Sequence, residues 1–176
     1  MSNSVNSRPT VDELIALWGL ELMVTENVLF SQTYVAPICG ADGKALSTAI
    51  VGLLTSDSQS FSDMHRLPTD EIWHFYLGDP IELLLLHADG TDELIVLGQD
   101  VMRNEEVQFV VPAGSWMGAR LIPGGEYGVF GNTMAPGYSL SDFEGAVTED
   151  LIKDWPHRSK LIRAMIRPDK PVRYVD

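Results

Sequence analysis

MHRLPTDEIWHFYLGDPIELLLL, residues 64–86, is the stretch that decides the fold. It contains two runs rich in aromatic, branched and aliphatic residues, 71–77 and 81–87, joined by the turn sequence Gly-Asp-Pro at 78–80. Apolar runs bounded by Gly and Pro are typical of β-strands. The stretch therefore predicts two consecutive strands with a tight turn between them.

Short strand-like runs and turn signals continue on both sides of this stretch. The further runs are 27–35, 47–54, 61–65, 93–97, 108–111, 116–122 and 127–133. Many short strands at close spacing favour a β-sandwich or a small barrel. A parallel sheet is disfavoured because no gap is long enough for a crossover helix, which needs about a dozen residues.

Helical patterns occur at the two ends of the chain. The segment 10–18 has Thr10 placed to cap a helix and Glu13 three positions later, which is the pattern of a capping box. The segment 148–166 contains two short helical patterns separated by Trp155-Pro156. We expect these helices to flank the β body.

The chain length fits a single domain. A chain of 176 residues can bury a substantial core, and no linker divides it. We therefore predict one domain over 1–176, with the β core at 27–134 and with residues 1–8 frayed.

The composition is strongly acidic. With 25 Asp and Glu against 12 Lys and Arg, the formal charge is −13, which disfavours binding to nucleic acids and to anionic membrane surfaces. No apolar run approaches the ~20 residues of a membrane helix, and the N-terminus does not resemble a signal peptide. The lone Cys39 fits a reducing compartment. We expect a cytoplasmic protein.

Several motifs resemble the Cupin_5 family, formerly DUF985, of the cupin superfamily. The matching pieces are Ser62, His65-Arg66, 70–76, Gly78, Pro80, Gly98, 112–116, 135–137 and 142–144. The most specific of them is DEIWHFY at 70–76. The resemblance implies a mainly β fold of the cupin jelly-roll type, with short helices at both termini. It further implies a small-molecule pocket inside the barrel and a homodimer.

The resemblance also bears on metal binding. In metal-binding cupins the corresponding motifs supply three histidines and a glutamate, and here His65 and Glu71 match two of these positions while Leu67 and Met117 occupy the others. His65, Glu71 and His74 would suffice in number for a divalent metal. However, strand alternation places His74 on the face opposite Glu71. We predict no cofactor and keep a divalent-metal enzyme as an alternative.

His65 and Glu71 are the predicted catalytic residues. A histidine beside a buried carboxylate is suited to proton transfer near neutral pH. Metal-free cupin epimerases use a His and a Tyr, so the resemblance makes isomerisation or epimerisation plausible, with His65 as base and Glu71 as its orienting partner. The alternative is a cupin that binds or senses a ligand without turnover.

The predicted ligand-binding residues are a set of aromatic and polar side chains. They are Phe61, Trp73, Phe75 and Trp116 as apolar lining, Arg66, Gln108 and Arg120 as polar anchors, and Glu144 near the barrel mouth. Aromatic walls with a few polar anchors are the usual lining of a small-molecule site. We expect a sugar-like or acidic metabolite.

Overall fold

Two antiparallel β-sheets form the body of the molecule in the computed structural model, which describes residues 8–175. The strands are β1 (Glu21–Leu22), β2 (Leu29–Val35), β3 (Thr48–Thr55), β4 (Phe61–Arg66), β5 (Glu71–Gly78), β6 (Ile81–Leu86), β7 (Asp92–Leu97), β8 (Gln108–Val111), β9 (Trp116–Leu121), β10 (Tyr127–Met134) and β11 (Glu144–Gly145). The helices are α1 (Val11–Trp18), α2 (Thr148–Asp154) and α3 (Ser159–Ala164). Short 3-10 turns lie at Val101–Arg103, Leu140–Asp142 and Pro156–Arg158.

The strand order is that of a jelly roll. One sheet has six strands in the order β1-β2-β3-β10-β5-β8, and the other has five in the order β11-β4-β9-β6-β7. Strands that are neighbours in space are therefore often distant in sequence, as β3 and β10 are. The mainly β jelly roll predicted from the sequence is confirmed. The two-residue strands β1 and β11 were not predicted, because runs this short carry no periodic signal.

The central core lies between the two sheets. It contains Val28, Leu54, Leu67, Trp73, Phe75, Ile81, Leu83, Leu85, Leu97, Val111, Met117, Ala119, Leu121, Phe130 and Met134. On β6 and β9 these are alternate residues, as expected for strands with one face toward the core. The inward side chains fill one end of the barrel and leave space at the other.

The helices cover the outer faces of the sheets. Leu14 of α1 belongs to an apolar cluster with Leu53 of β3 and Val129 of β10, on the six-stranded sheet. Residues of α2 and α3 form another cluster with Leu84 and Leu86 of β6, on the five-stranded sheet. Each sheet is thus partly covered on its outer face, while outward side chains such as Tyr76 on β5 stay exposed.

Helix α1 has the capping box expected from its sequence. The backbone N–H of Glu13 donates to Thr10 Oγ1 at 3.3 Å, and that of Thr10 donates to Glu13 Oε2 at 2.8 Å. The frayed segment predicted at 1–8 lies outside the described residues except for Arg8. The Arg8 guanidinium is fixed by two hydrogen bonds of 2.9 and 2.8 Å to Asp79. Within 8–175, no helix has the length and apolarity needed to cross a membrane.

Candidate functional site

An irregularity in β4 turns His65 toward the barrel interior. Ser62 lies opposite Ala119 on β9, but His65 lies opposite Met117, so β4 contains one residue more than its partner. Such a bulge shifts the alternation of side chains by one position. Met64 consequently packs in the outer cluster, while Ser62 and His65 are both buried on the inner side.

The His65 ring is held by two contacts. Its Nδ1 lies 2.7 Å from the backbone carbonyl oxygen of Asp63, and the ring stacks on Phe143 with the centroids 4.9 Å apart. Because a carbonyl oxygen only accepts hydrogen bonds, Nδ1 carries the hydrogen. This fixes the tautomer of the neutral ring, and Nε2 is the nitrogen that can take up a proton.

Glu71 begins β5 and is almost completely buried. Burial raises the pKa of its carboxyl to about 7, with the nearby His65 lowering it, Glu26 raising it and a hydrogen bond from Trp73 lowering it. That hydrogen bond is donated by Trp73 Nε1 to Glu71 Oε2 at 2.8 Å. Glu71 is thus held by Trp73, and His65 is oriented by Asp63 and Phe143. Glu71 and His65 act on each other through their charges, and this lowers the Glu71 pKa.

His65 and Glu71 both line a cavity of about 360 Å³ at the unfilled end of the barrel. Its polar lining residues are Glu21, Thr25, Glu26, Gln32, Thr48, His65, Glu71, Asn132 and Tyr138. Its apolar lining comes from the inner faces of β2, β3, β5 and β10, from Leu67 and Leu140, and from the segment 22–28. The volume is in the range of small-molecule sites, about 300–1,000 Å³.

A pair of stacked aromatic rings forms one wall of the cavity. Trp73 and Phe130 lie with their centroids 4.6 Å apart and their planes 17° from parallel. The Phe130 ring covers Gly52 so closely that a Cβ there would lie 2.4 Å from the ring. Glycine at position 52 is therefore required for the ring to reach Trp73.

Seven of the nine polar lining residues were not predicted from the sequence, and three of these seven, Glu26, Asn132 and Tyr138, bear on the chemistry of the cavity. The Ser62 hydroxyl donates a hydrogen bond to the carboxylate of Glu26. The Tyr138 hydroxyl bonds Thr25, and its pKa is raised mainly by burial and further by Glu26. Asn132 is 6% exposed, and its Nδ2 has no hydrogen-bond partner among the described residues.

The sequence contains a signal for one of these three residues. Asn132 is a polar residue on the same strand face as Phe130 and Met134, which are otherwise apolar. Glu26 lies in the irregular segment between β1 and β2 and carries no comparable signal. Tyr138 follows the last long strand in an irregular segment, and nothing in its spacing indicated the cavity.

Five predicted ligand-binding residues lie outside the cavity lining, on or beside the outer face of the five-stranded sheet. They are Phe61, Arg66, Trp116, Arg120 and Glu144. Arg66 makes two hydrogen bonds of 2.9 Å to Glu144 and stacks over Trp116 at 4.6 Å. Arg120 pairs with Glu82 at 2.7 Å. These arginines are neutralised by protein carboxylates.

The remaining predicted residues lie on β5 and, for Gln108, on the neighbouring strand β8. Alternation along β5 decides which of them face the barrel interior. Trp73 lines the cavity, whereas Phe75 belongs to the filled end of the core. His74 lies on the outer face, where its Nδ1 accepts from Gln108 at 3.1 Å and its Nε2 is 3.2 Å from Thr133 Oγ1. Partial burial lowers the His74 pKa. His74 and Gln108 are therefore separated from the cavity by the sheet.

The residues present do not fit the four-ligand metal site of metal-binding cupins. Leu67 and Met117 place apolar side chains at two of the four ligand positions and are part of the central core. His74, the other histidine considered, is on the far face of β5. Within residues 8–175, no group of three or more His, Cys, Asp or Glu side chains is arranged to hold a metal ion.

Comparison with known families and structures agrees with the fold. The sequence profile of Cupin_5, described as "Cupin superfamily (DUF985)", matches residues 12–146. Protein SO0799 from Shewanella oneidensis superposes with a TM-score of 0.84 at 26% identity, over 92% of this chain and 100% of that one. A hypothetical protein from Leishmania major has a TM-score of 0.80 at 24% identity, over 90% and 99%.

A more distant structure shares the fold alone. A cupin 2 conserved barrel domain protein from Rhodopseudomonas palustris has a TM-score of 0.55 at 11% identity, over 92% of this chain and 87% of that one. A search of curated proteins finds no significant match.

Proposed function

This chain belongs to the Cupin_5 family of the cupin superfamily, and from that premise we propose that its barrel cavity binds a small polar metabolite on which His65 transfers a proton. The observation that carries the proposal is that His65 and Glu71, two buried groups able to exchange a proton, line the same cavity of about 360 Å³. Buried titratable groups that share one cavity are characteristic of acid–base sites.

The chemistry that these groups support is isomerisation or epimerisation. His65 Nε2 would take a proton from a carbon next to a carbonyl group of the ligand, and an ionised Glu71 would stabilise the imidazolium that results. Tyr138 would return a proton, because its raised pKa keeps the hydroxyl protonated. Metal-free cupin epimerases, which use a His and a Tyr, offer an analogy of fold for this division of roles.

The charge of the cavity favours an uncharged or cationic ligand over an acidic one. Its lining includes the carboxylates of Glu21, Glu26 and Glu71, and none of the lining residues is Lys or Arg. A ligand carboxylate would be buried beside like charges without a cation to pair with it, which is unfavourable. Of the two ligand classes expected from the sequence, the sugar-like one therefore fits better than the acidic one, and a positive charge on such a ligand would be favourable.

Binding without turnover is the second candidate function. The stacked Trp73–Phe130 wall and the apolar lining would hold a ligand whether or not His65 acts on it. In this case His65 and Glu71 would serve as hydrogen-bonding groups for recognition. The homodimer and the cytoplasmic location expected from the sequence stay predictions.

Solvent deuterium exchange tests the catalytic proposal directly. We expect the protein in D₂O to introduce deuterium at the carbon next to the carbonyl in at least one member of a panel of aldoses, ketoses and hydroxyketones, followed by ¹H NMR. His65→Ala should abolish the exchange, whereas Glu149→Gln, a change on the exposed surface of α2, should leave it intact.

The same panel separates the two candidate functions. Compounds that shift the Trp73 indole resonance without exchanging deuterium would support binding alone and reject catalysis. Exchange that persists in His65→Ala would reject His65 as the base.

A further inference from the structure

We propose that the cavity selects a small protonated amine that carries a neighbouring hydroxyl or carbonyl oxygen, the ammonium group bound by Glu26 and the oxygen by Asn132. This inference rests on the proposed function, because it names the ligand class of the same cavity. It does not depend on whether the ligand is turned over.

Glu26 is positioned to accept hydrogen bonds from a ligand. Its side chain lines the cavity, and the buried Ser62 hydroxyl donates to its Oε2. A carboxylate has about four lone-pair sites, so the bond from Ser62 fixes the group and leaves acceptor sites for another donor. An ammonium group supplies three donors and the opposite charge.

The cations near Glu26 are engaged elsewhere. Arg167 forms an ion pair with Asp63, and Lys170 donates a hydrogen bond to the backbone carbonyl of Val24. Neither residue lines the cavity. Lys170 acts on Glu26 only through its charge, and no Lys or Arg of the cavity lining competes with a cationic ligand.

Asn132 gives a second indication of a ligand, one that does not depend on Glu26. It is 6% exposed and lines the cavity, and its Nδ2 has no hydrogen-bond partner within the part of the chain that is described. A buried polar group without a partner is costly and uncommon in a native protein. A hydroxyl or carbonyl oxygen on the ligand would supply the missing acceptor.

The aromatic wall suits the remainder of such a ligand. The stacked rings of Trp73 and Phe130 present an apolar surface, and an aromatic face also attracts a cation. The formal charge of −13 raises the local concentration of cations around the whole molecule. The aromatic wall thus favours an apolar face on the ligand, and both features favour a positive charge.

Three probe molecules of nearly the same shape test the inference. They are 2-amino-1-phenylethanol, 1-phenyl-1,2-ethanediol and mandelate, which share the phenyl and hydroxyl groups and differ in carrying an ammonium, a hydroxyl or a carboxylate. Affinity is measured at neutral pH by NMR titration of the Trp73 indole. We expect the amine to bind about tenfold or more tightly than the diol, and mandelate to bind most weakly.

Variants assign the effect to the two named groups. Glu26→Gln should bring the affinity for the amine to within about twofold of that for the diol, because the amine loses its charge partner, and Asn132→Leu should weaken both. The control Glu149→Gln, with the same change of net charge on the surface of α2, should alter neither affinity.

The outcomes distinguish this inference from the proposed function. Equal binding of amine and diol, or an affinity for the amine that survives Glu26→Gln, would overturn the amine inference and leave the cavity as a site for neutral ligands. Tightest binding of mandelate would overturn it as well. If none of the three probes shifted the Trp73 indole while a sugar of the panel above did, the amine inference would be rejected and the proposed function would stand.

Discussion

Two buried carboxylates lie near each other in the chain, and their surroundings differ. Asp63 is 5% exposed and accepts hydrogen bonds from the Arg167 backbone and guanidinium at 2.8 and 2.6 Å. Glu71 is 8% exposed and has the Trp73 indole as its hydrogen-bond donor. A carboxylate paired with arginine holds the fold together, whereas one without such a pair is free to change its protonation state.

The largest expected effect comes from breaking the Asp63 pair. Arg167→Leu leaves a buried carboxylate without its cation, and this should lower the free energy of unfolding by about 3–5 kcal/mol. Urea denaturation measures the change. The double variant with Asp63→Asn should recover part of the loss, since it also removes the unpaired charge. A loss below about 1 kcal/mol in the single variant would show that the pair is not structural.

Glu71→Gln should have a smaller effect that depends on pH. The folded protein raises the Glu71 pKa from an ordinary value of 4.5 to about 7, so it retains a proton that the unfolded chain has released. The stability that this group contributes is present below pH 4.5 and is lost as the pH rises to about 7. The loss is at most about 3 kcal/mol.

The measurement for Glu71 is the difference between two pH profiles of unfolding. Glu71→Gln should lose less stability than the wild type over this range of pH, because the amide does not ionise. Glu149→Gln serves as the control, and its profile should parallel that of the wild type. Parallel profiles for Glu71→Gln and wild type would mean that Glu71 is ionised like an exposed carboxyl.

Gly52→Ala tests the aromatic wall of the cavity. The added methyl group would meet the Phe130 ring at 2.4 Å, so the ring must move away from its stacked position on Trp73. Overpacking of this kind should cost about 1–3 kcal/mol of stability. Thermal unfolding measures the cost, and the fluorescence of Trp73 reports the changed stacking. An unchanged spectrum and stability would contradict the described packing.

The smallest effect is expected at the N-terminal edge of the described chain. Arg8 holds the pKa of Asp79 at about 2, mainly through their hydrogen bonds. In Arg8→Ala the Asp79 pKa should rise toward its ordinary range, as measured by NMR titration. Because the pair is partly exposed, the loss of stability should stay below about 1 kcal/mol. A pKa of Asp79 that did not move would show that Arg8 is not docked in solution.

Strand alternation predicts which side chains point into the barrel correctly on β5 and β9 and incorrectly on β4. On β5 it placed Glu71 inside and His74 outside, as the structure has them. Applied to β9, the same rule assigns Met117 to the interior and therefore Trp116 to the exterior, so Trp116 did not belong in the predicted pocket. On β4 a strict period of two would have failed, since the bulge alone turns His65 inward.

Two of the residues that sequence reasoning missed, Glu26 and Tyr138, come from segments without a periodic pattern. Glu26 precedes β2, and Tyr138 follows the last long strand, yet both reach the cavity because the jelly-roll order brings distant segments together. Tertiary contacts between irregular segments leave no local trace in composition or spacing. By contrast, the fold itself was predictable, because many short strands each contribute to the same pattern.

The measurement that tests the central claim most directly is the titration of the Glu71 carboxyl by ¹³C NMR, with Glu71→Gln used to assign the signal. The claim is that the barrel cavity contains a proton-active carboxyl beside His65. The account predicts a midpoint at about pH 7 for the wild-type protein. A midpoint near the ordinary value of 4.5 would contradict it.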